Sequence, residues 1–278
     1  MYALGINLAH DASACLIGGN GASFSVREGP PPGAPDACVP DAAGRWFALV
    51  PAEHVAACLE AAGIDYDDLD TVTFCNGVVW AATELRNLTV ADCVLQLPWS
   101  MQSRLEAIGA HLADAHGAWC ASDFPDAAVL VVNPHGSITG WRRSGGGNAI
   151  PLIERATIYH ATPDGLRVTA RIEDPAGSVD QLRTVVPPAA YGMTVPMVMP
   201  LARLAVERTG CRRLCVVGHV HDVASAIAQV RGELDAELFV QAPARSAALG
   251  AALHGWHCAL GQPRPRPAAL RSSEARAC

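Results

Sequence analysis

The chain has 278 residues and a mass of 29.0 kDa; half of its residues are hydrophobic and 17% are charged, which supplies a sizeable core and excludes wholesale disorder. The net charge of −7, with no basic block and no aromatic–basic interleaving, argues against nucleic acid as a partner. All 20 cationic residues are arginine, which excludes a lysine Schiff base, lysine-anchored pyridoxal phosphate and a Walker A lysine, and no apolar run reaches the roughly 18 residues of a membrane span.

Met1 to Gly5 carry no positive charge ahead of the first apolar stretch, so no secretory signal is expected and the chain reads as cytoplasmic. The ten cysteines (Cys15, Cys38, Cys58, Cys75, Cys93, Cys120, Cys211, Cys215, Cys258 and Cys278) form no C-x-x-C pair and read as buried thiols. In chain order, residues 2–8, 13–18 and 22–28 read as strands of a meander, with Gly18-Gly19-Asn20-Gly21 as turn residues. Residues 29–44, rich in Pro, Gly, Ala and Asp, read as a loop. The pattern then predicts a helix over 51–62 with Gly63 just past its end, a turn over 65–70, a strand over 71–75 and a helix over 102–117.

The second half repeats that plan. Strands are predicted over 127–133, 137–143, 149–158 and 166–172, a helix over 196–209, a strand over 213–217, a helix over 222–231, a strand over 237–241 and a helix over 246–260. Residues 262–278, rich in Pro and Arg, read as a disordered tail. This gives lobe I over 1–120 and lobe II over 121–261, each beginning with a meander and continuing as β-α units. The first hairpins look alike, Ile6-Asn7-Leu8-Ala9-His10 against Val132-Asn133-Pro134-His135, and two such lobes facing each other enclose a cleft lined by hairpin loops. Trp99, Trp119, Trp141 and Trp256 read as core or interface residues.

The string Gly5 to Ala14, G-I-N-L-A-H-D-A-S-A, puts Asn7, His10, Asp11 and Ser13 on one tight turn. Such a turn holds a hydroxyl substrate or a phosphate through its donors, and the same residue types also serve as plain turn and cap residues. The string resembles the start of the NodU/CmcH-type O-carbamoyltransferases, G-x-N-x-G-H-D-x-S-A. Residues 57–72, 110–132, 184–192, 208–223 and 239–254 resemble further motifs of that family in the same order, so the resemblance covers most of residues 2–257.

The resemblance implies a two-lobed, duplicated α/β fold of the actin/Hsp70 (RNase H-like) type, shared with the tRNA threonylcarbamoyl-transfer enzymes. It also implies a reaction in which a carbamoyl-adenylate, made from carbamoyl phosphate and ATP, gives its carbamoyl group to an alcohol beside an iron ion. Under it, His10 is the general base and Asp11 its orienting partner, because a neutral imidazole suits proton abstraction near pH 7. Asn7, Ser13, Asn133 and His135 are substrate-binding candidates, and Gly192, Gly218 and His219 are nucleotide-binding candidates.

Several positions depart from the family pattern. Its H-x-x-x-H metal motif falls on Ala110 and Asp114, the aspartate ending its V-x-D strand is Asn133, and its last aspartate falls in Ala244-Arg245-Ser246. A divalent ion held by Asp114 alone would bind weakly. A rebuilt metal site would draw on His111, Asp114 and His221, with His135 or His219 in reach of the same cleft. The family's YrdC-like domain, which forms the adenylate, is expected to be absent, since the chain ends soon after Leu253. The sequence thus reads as a truncated carbamoyltransferase-like enzyme of natural-product tailoring, acting on a small-molecule hydroxyl acceptor. The alternative is a pseudoenzyme that binds a ligand or scaffolds a full-length homologue. A homologous subunit or a separate YrdC-like protein is the expected partner.

Overall fold

The computed structural model describes residues 1–7, 13–18, 22–28, 38–40, 46–48, 52–76, 105–133, 136–143, 149–175, 195–218, 223–241 and 247–265. The first sheet starts with a meander of β1 (Tyr2–Asn7), β2 (Ser13–Gly18) and β3 (Ala22–Glu28). β4 (Cys38–Pro40) and β5 (Trp46–Ala48) form a separate small hairpin. After α1 (Ala52–Ala62) the chain returns as β6 (Thr71–Asn76) and β7 (Leu105–Gly109). The sheet order is β3-β2-β1-β6-β7, antiparallel through the meander and parallel from β1 to β7.

The second sheet repeats this order. β8 (Ala127–Val132), β10 (Ala149–Thr162) and β11 (Gly165–Pro175) are antiparallel, while β12 (Arg213–Gly218) and β13 (Glu237–Gln241) add in parallel on the other side of β8. β9 (Ile138–Arg143) pairs with the start of β10. One strand order used twice is the two-lobed, duplicated α/β fold of the actin/Hsp70 (RNase H-like) type.

Alternation along the strands assigns the faces. Leu4, Ile6, Leu16, Val72 and Phe74 point outward onto Val55, Cys58 and Leu59 of α1, which recur at helical spacing. Leu130, Val132, Leu214 and Val216 likewise pack on α3 (Val195–Thr209) and α4 (Val223–Leu234). The opposite faces share one core. Ala3, Cys15 and Ile17 of the first sheet and Val129, Val131 and Cys215 of the second meet around Trp119, Ala248, Ala252 and Trp256.

That shared core exists because each lobe lends its last helix to the other. α2 (Ala110–Ala121) leaves β7 and packs on β8, β10 and β12; α5 (Ala247–His254) follows β13 and packs on β1, β2 and β6. The two helices cross at close range. A Cβ on Gly250 would collide with the Ala113 carbonyl and press on the Gly117 nitrogen, so only glycine permits this crossing. No helix among the described residues is long and apolar enough to cross a membrane.

Several expectations need correction. Residues 105–109 are a strand, not the start of a helix: Leu, Glu and Ala favour helix locally, but pairing with β6 prevails and the helix begins only after Gly109. The loop expected over 29–44 contains β4, whose Val39 pairs with Phe47 of β5. The two first hairpins are not alike. β1 pairs antiparallel with the next strand, β2, with Asn7 opposite Ser13, whereas β8 and the next strand, β9, both pair with β10, and Asn133 and Ser137 also bond to it at Arg155 and Glu154. Residues 262–265 of the expected tail are held against the rest of the chain. Trp256 Nε1 donates to the Pro263 carbonyl at 3.0 Å, and the Arg264 guanidinium lies 4.6 Å from the Trp119 ring centroid while donating to the Trp119 and Phe124 carbonyls. Trp119 and Trp256 are buried as expected, but Trp141 is exposed; Cys15, Cys58, Cys75, Cys120, Cys211 and Cys215 are buried, while Cys258 is exposed.

Candidate functional site

The parallel strands of each sheet end on one edge, where open α/β sheets bind ligands. On the first sheet that edge carries Asn7 and, opposite it, Ser13, both buried. Asn7 Oδ1 lies 3.7 Å from Cys75 Sγ, which also approaches the carbonyl of Ala247 at the start of α5, 3.5 Å away. On the second sheet the edge carries Asn133 and Gly218. Gly218 has φ +139, and a Cβ there would strike the Val132 carbonyl. The edges touch where the Ala110 N–H donates to Ser137 Oγ at 2.8 Å, and the Gly136 N–H returns to the Asn133 carbonyl at 3.2 Å.

His111 stands beside this junction, fully buried on α2. Its Nε2 lies 3.0 Å from the Asn133 carbonyl and its Nδ1 2.9 Å from Thr157 Oγ1 on β10. The Thr157 hydroxyl in turn lies 2.5 Å from Glu154 Oε1, so imidazole and carboxyl are joined through one hydroxyl. Arg171 Nε on β11 donates to the same carboxyl at 3.0 Å. Burial lowers the His111 pKa below the usual imidazole value; the Glu154 charge and the Asn133 carbonyl oppose that shift, and Arg171 adds to it. Asp114, one turn along α2, is buried near Tyr159. His111 and Asp114 thus share a helix face, as their spacing predicts, and that face lies on β10 of lobe II.

The structure brings Asn7 and Ser13 together and places Asn133 within reach of His111. His10, Asp11, His135, Gly192, His219 and His221 lie outside the described residues. Glu154 and Arg171 were not singled out from the sequence, since one acid and one arginine on neighbouring strands carry no spacing signature. Among the described residues, the cluster with metal-ligand spacing is not His111 and Asp114 but His116, His254 and Cys258. An open depression of roughly 780 Å³ lies at the other edge of the second sheet, lined by Arg212, Arg213, Arg231, Asp235 and Glu237, with Arg212 paired to Asp235 and Arg213 to Asp126.

No protein-family model matches the chain, and no curated protein matches it. Among solved structures, the activator of the 2-hydroxyisocaproyl-CoA dehydratase from Clostridium difficile with bound ADPNP is similar over 99% of this chain and 98% of that one, at 12% identity and a TM-score of 0.45. YeaZ from Pseudomonas aeruginosa is similar over 95% of this chain and 96% of that one, at 13% identity and a TM-score of 0.39. The ROK hexokinase from Thermus thermophilus is similar over 91% and 99%, at 11% identity and a TM-score of 0.42.

Proposed function

We propose that the chain binds ATP or a carbamoyl-adenylate between its lobes and passes the carbamoyl, or a related acyl, group to a hydroxyl of a small molecule. One observation carries the reading: both sheets present the carboxyl ends of their parallel strands to one junction, at Asn7, Ser13, Asn133 and Gly218, where Ala110 bonds to Ser137. The opening string that resembles the carbamoyltransferases includes Asn7 and Ser13 of that edge, with His10 and Asp11 between them in sequence. In this reading neutral His10 takes the acceptor hydroxyl proton as that oxygen bonds to the carbamoyl carbon. The bond from that carbon to the phosphate oxygen breaks, AMP departs, and Asp11 orients the imidazole. The acyl-adenylate would come from a homologous subunit or a separate YrdC-like protein.

The iron clamp of the resembling family does not fit these residues. Ala110 offers no donor atom, the Asn133 carbonyl accepts from His111, and both His111 ring nitrogens are engaged. No step is therefore routed through a metal. That same observation favours a second reading, in which the cleft binds nucleotide without turning it over.

The test is calorimetric titration of the full chain with ATP, followed by assay of carbamoyl phosphate, ATP and a panel of hydroxylated acceptors with and without a YrdC-like protein. Turnover that falls at least 100-fold in His10→Ala supports transfer. Binding without turnover supports the second reading, and no nucleotide binding ends both.

A further inference from the structure

On the side of α2 away from Glu154, three potential ligands meet outside the junction just described. We propose that His116, His254 and Cys258 hold one zinc-class divalent transition-metal ion, with Glu106 orienting His254. The ligand atoms all lie within 4.8 Å of one another. His116 Nε2 is 3.1 Å from His254 Nδ1 and 4.0 Å from Cys258 Sγ. Around a tetrahedral zinc, with bonds of about 2.0–2.1 Å to nitrogen and about 2.3 Å to sulfur, ligand atoms stand roughly 3.3–3.7 Å apart. The two spacings from His116 bracket that range, and the His254–Cys258 pair, within 4.8 Å, closes by up to about 1 Å as an ion enters, a movement open to the exposed Cys258 side chain.

The surroundings match a metal site in two further ways, at His254 and at Cys258. His254 Nε2 lies 3.2 Å from Glu106 Oε1 on β7, which leaves Nδ1 as its ligand atom and forms the carboxylate–histidine–metal arrangement. His116 is buried with Nε2 toward the other two ligands, and its Nδ1, unlike the Nε2 of His254, has no hydrogen-bond partner among the described residues, so packing alone orients this ring. Cys258 is exposed, which opens the site to solvent and gives the ion an entry path and a fourth position for water.

The donor set of two imidazoles and one thiolate suits Zn²⁺ over Mg²⁺ or Ca²⁺. On binding, the thiol loses its proton to solvent as the sulfur–metal bond forms. His254 ends α5, and Cys258 lies four residues on, in the π-turn Gly255–Ala259; His116 belongs to α2 and Glu106 to the edge of the first sheet. The ion would therefore join the two crossing helices to lobe I.

The experiment uses the full-length, tag-free chain stripped by a chelator and titrated with Zn²⁺ alone, then with Co²⁺ as a spectroscopic probe. The expected result is one ion per chain with a sulfur-to-cobalt charge-transfer band. Cys258→Ser should abolish the band while the circular dichroism stays unchanged, and Glu106→Gln should weaken affinity roughly 10- to 100-fold. Absence of stoichiometric binding, or a band that survives Cys258→Ser, overturns the proposal.

Discussion

His111 and His116 stand five residues apart on the same helix, about 140° around its axis, and meet opposite fates. His111 faces β10 and finds a carbonyl, a hydroxyl and, 3.5 Å away, a carboxylate oxygen. His116 faces α5 and finds another imidazole and a thiol, while its Nδ1 has no partner among the described residues. Burial is the main cause lowering the pKa of both. For His116 the neighbouring His254 and His257 deepen the shift, whereas for His111 the Glu154 charge opposes it. Burial alone thus separates nothing; a histidine is structural where its partners are complete and a ligand candidate where they are soft and incomplete.

The strongest way to break this comparison is to remove the satisfied member. His111→Ala takes one donor from the Asn133 carbonyl, which keeps the Gly136 N–H, removes the imidazole from Thr157 and opens a cavity, so urea unfolding should register a loss of about 3 kcal/mol. An undiminished unfolding midpoint would show that the cluster contributes no stability. Next in size is the crossing that both histidines depend on. Gly250→Ala drives a methyl into the Ala113 carbonyl and should cost about 2 kcal/mol, and it should also weaken any Zn²⁺ binding by displacing α5.

A smaller effect follows from pH. The unfolded chain protonates an imidazole near the ordinary value of 6.5, while buried His111 takes up that proton only at lower pH. The unfolded state then binds more protons, so this stability is fully present above 6.5 and falls on acidification, by at most about 1.4 kcal/mol per pH unit. Unfolding curves between neutral and mildly acidic pH should show this slope, reduced in His111→Gln. An equal slope in that variant would assign the acid sensitivity elsewhere.

Much of this frame was legible in the sequence, and the exceptions have physical causes. The meander in residues 2–28 and the parallel strands 127–132 and 213–218 announced themselves as apolar runs bounded by turn residues. Residues 105–109 did not, because an edge strand of Leu, Glu and Ala is held by its neighbour rather than by its own propensity. The pairing of both β8 and β9 with β10 was hidden because Asn, Pro and His read as a hairpin turn whether or not the chain reverses. The pair His254 and Cys258 carried a usable signal, two potential ligands at helical spacing. That signal stays incomplete in the sequence because the third residue, His116, lies 138 residues away. Glu154 left no such trace.

The smallest expected effect sharpens the comparison most. Cys258→Ser changes one exposed atom and leaves the crossing of α2 and α5 intact, so metal-free stability should move by no more than about 0.5 kcal/mol. In saturating Zn²⁺ the two proteins should part. Ion binding to the folded state raises the melting temperature of the native chain by mass action, and the variant forfeits that gain. His111→Gln, on the other face of the same helix, should keep the zinc-dependent rise despite its lower starting stability. If His111→Gln also lost the rise, the two faces of α2 would act as one unit, and the distinction between a satisfied and an unsatisfied histidine would fail.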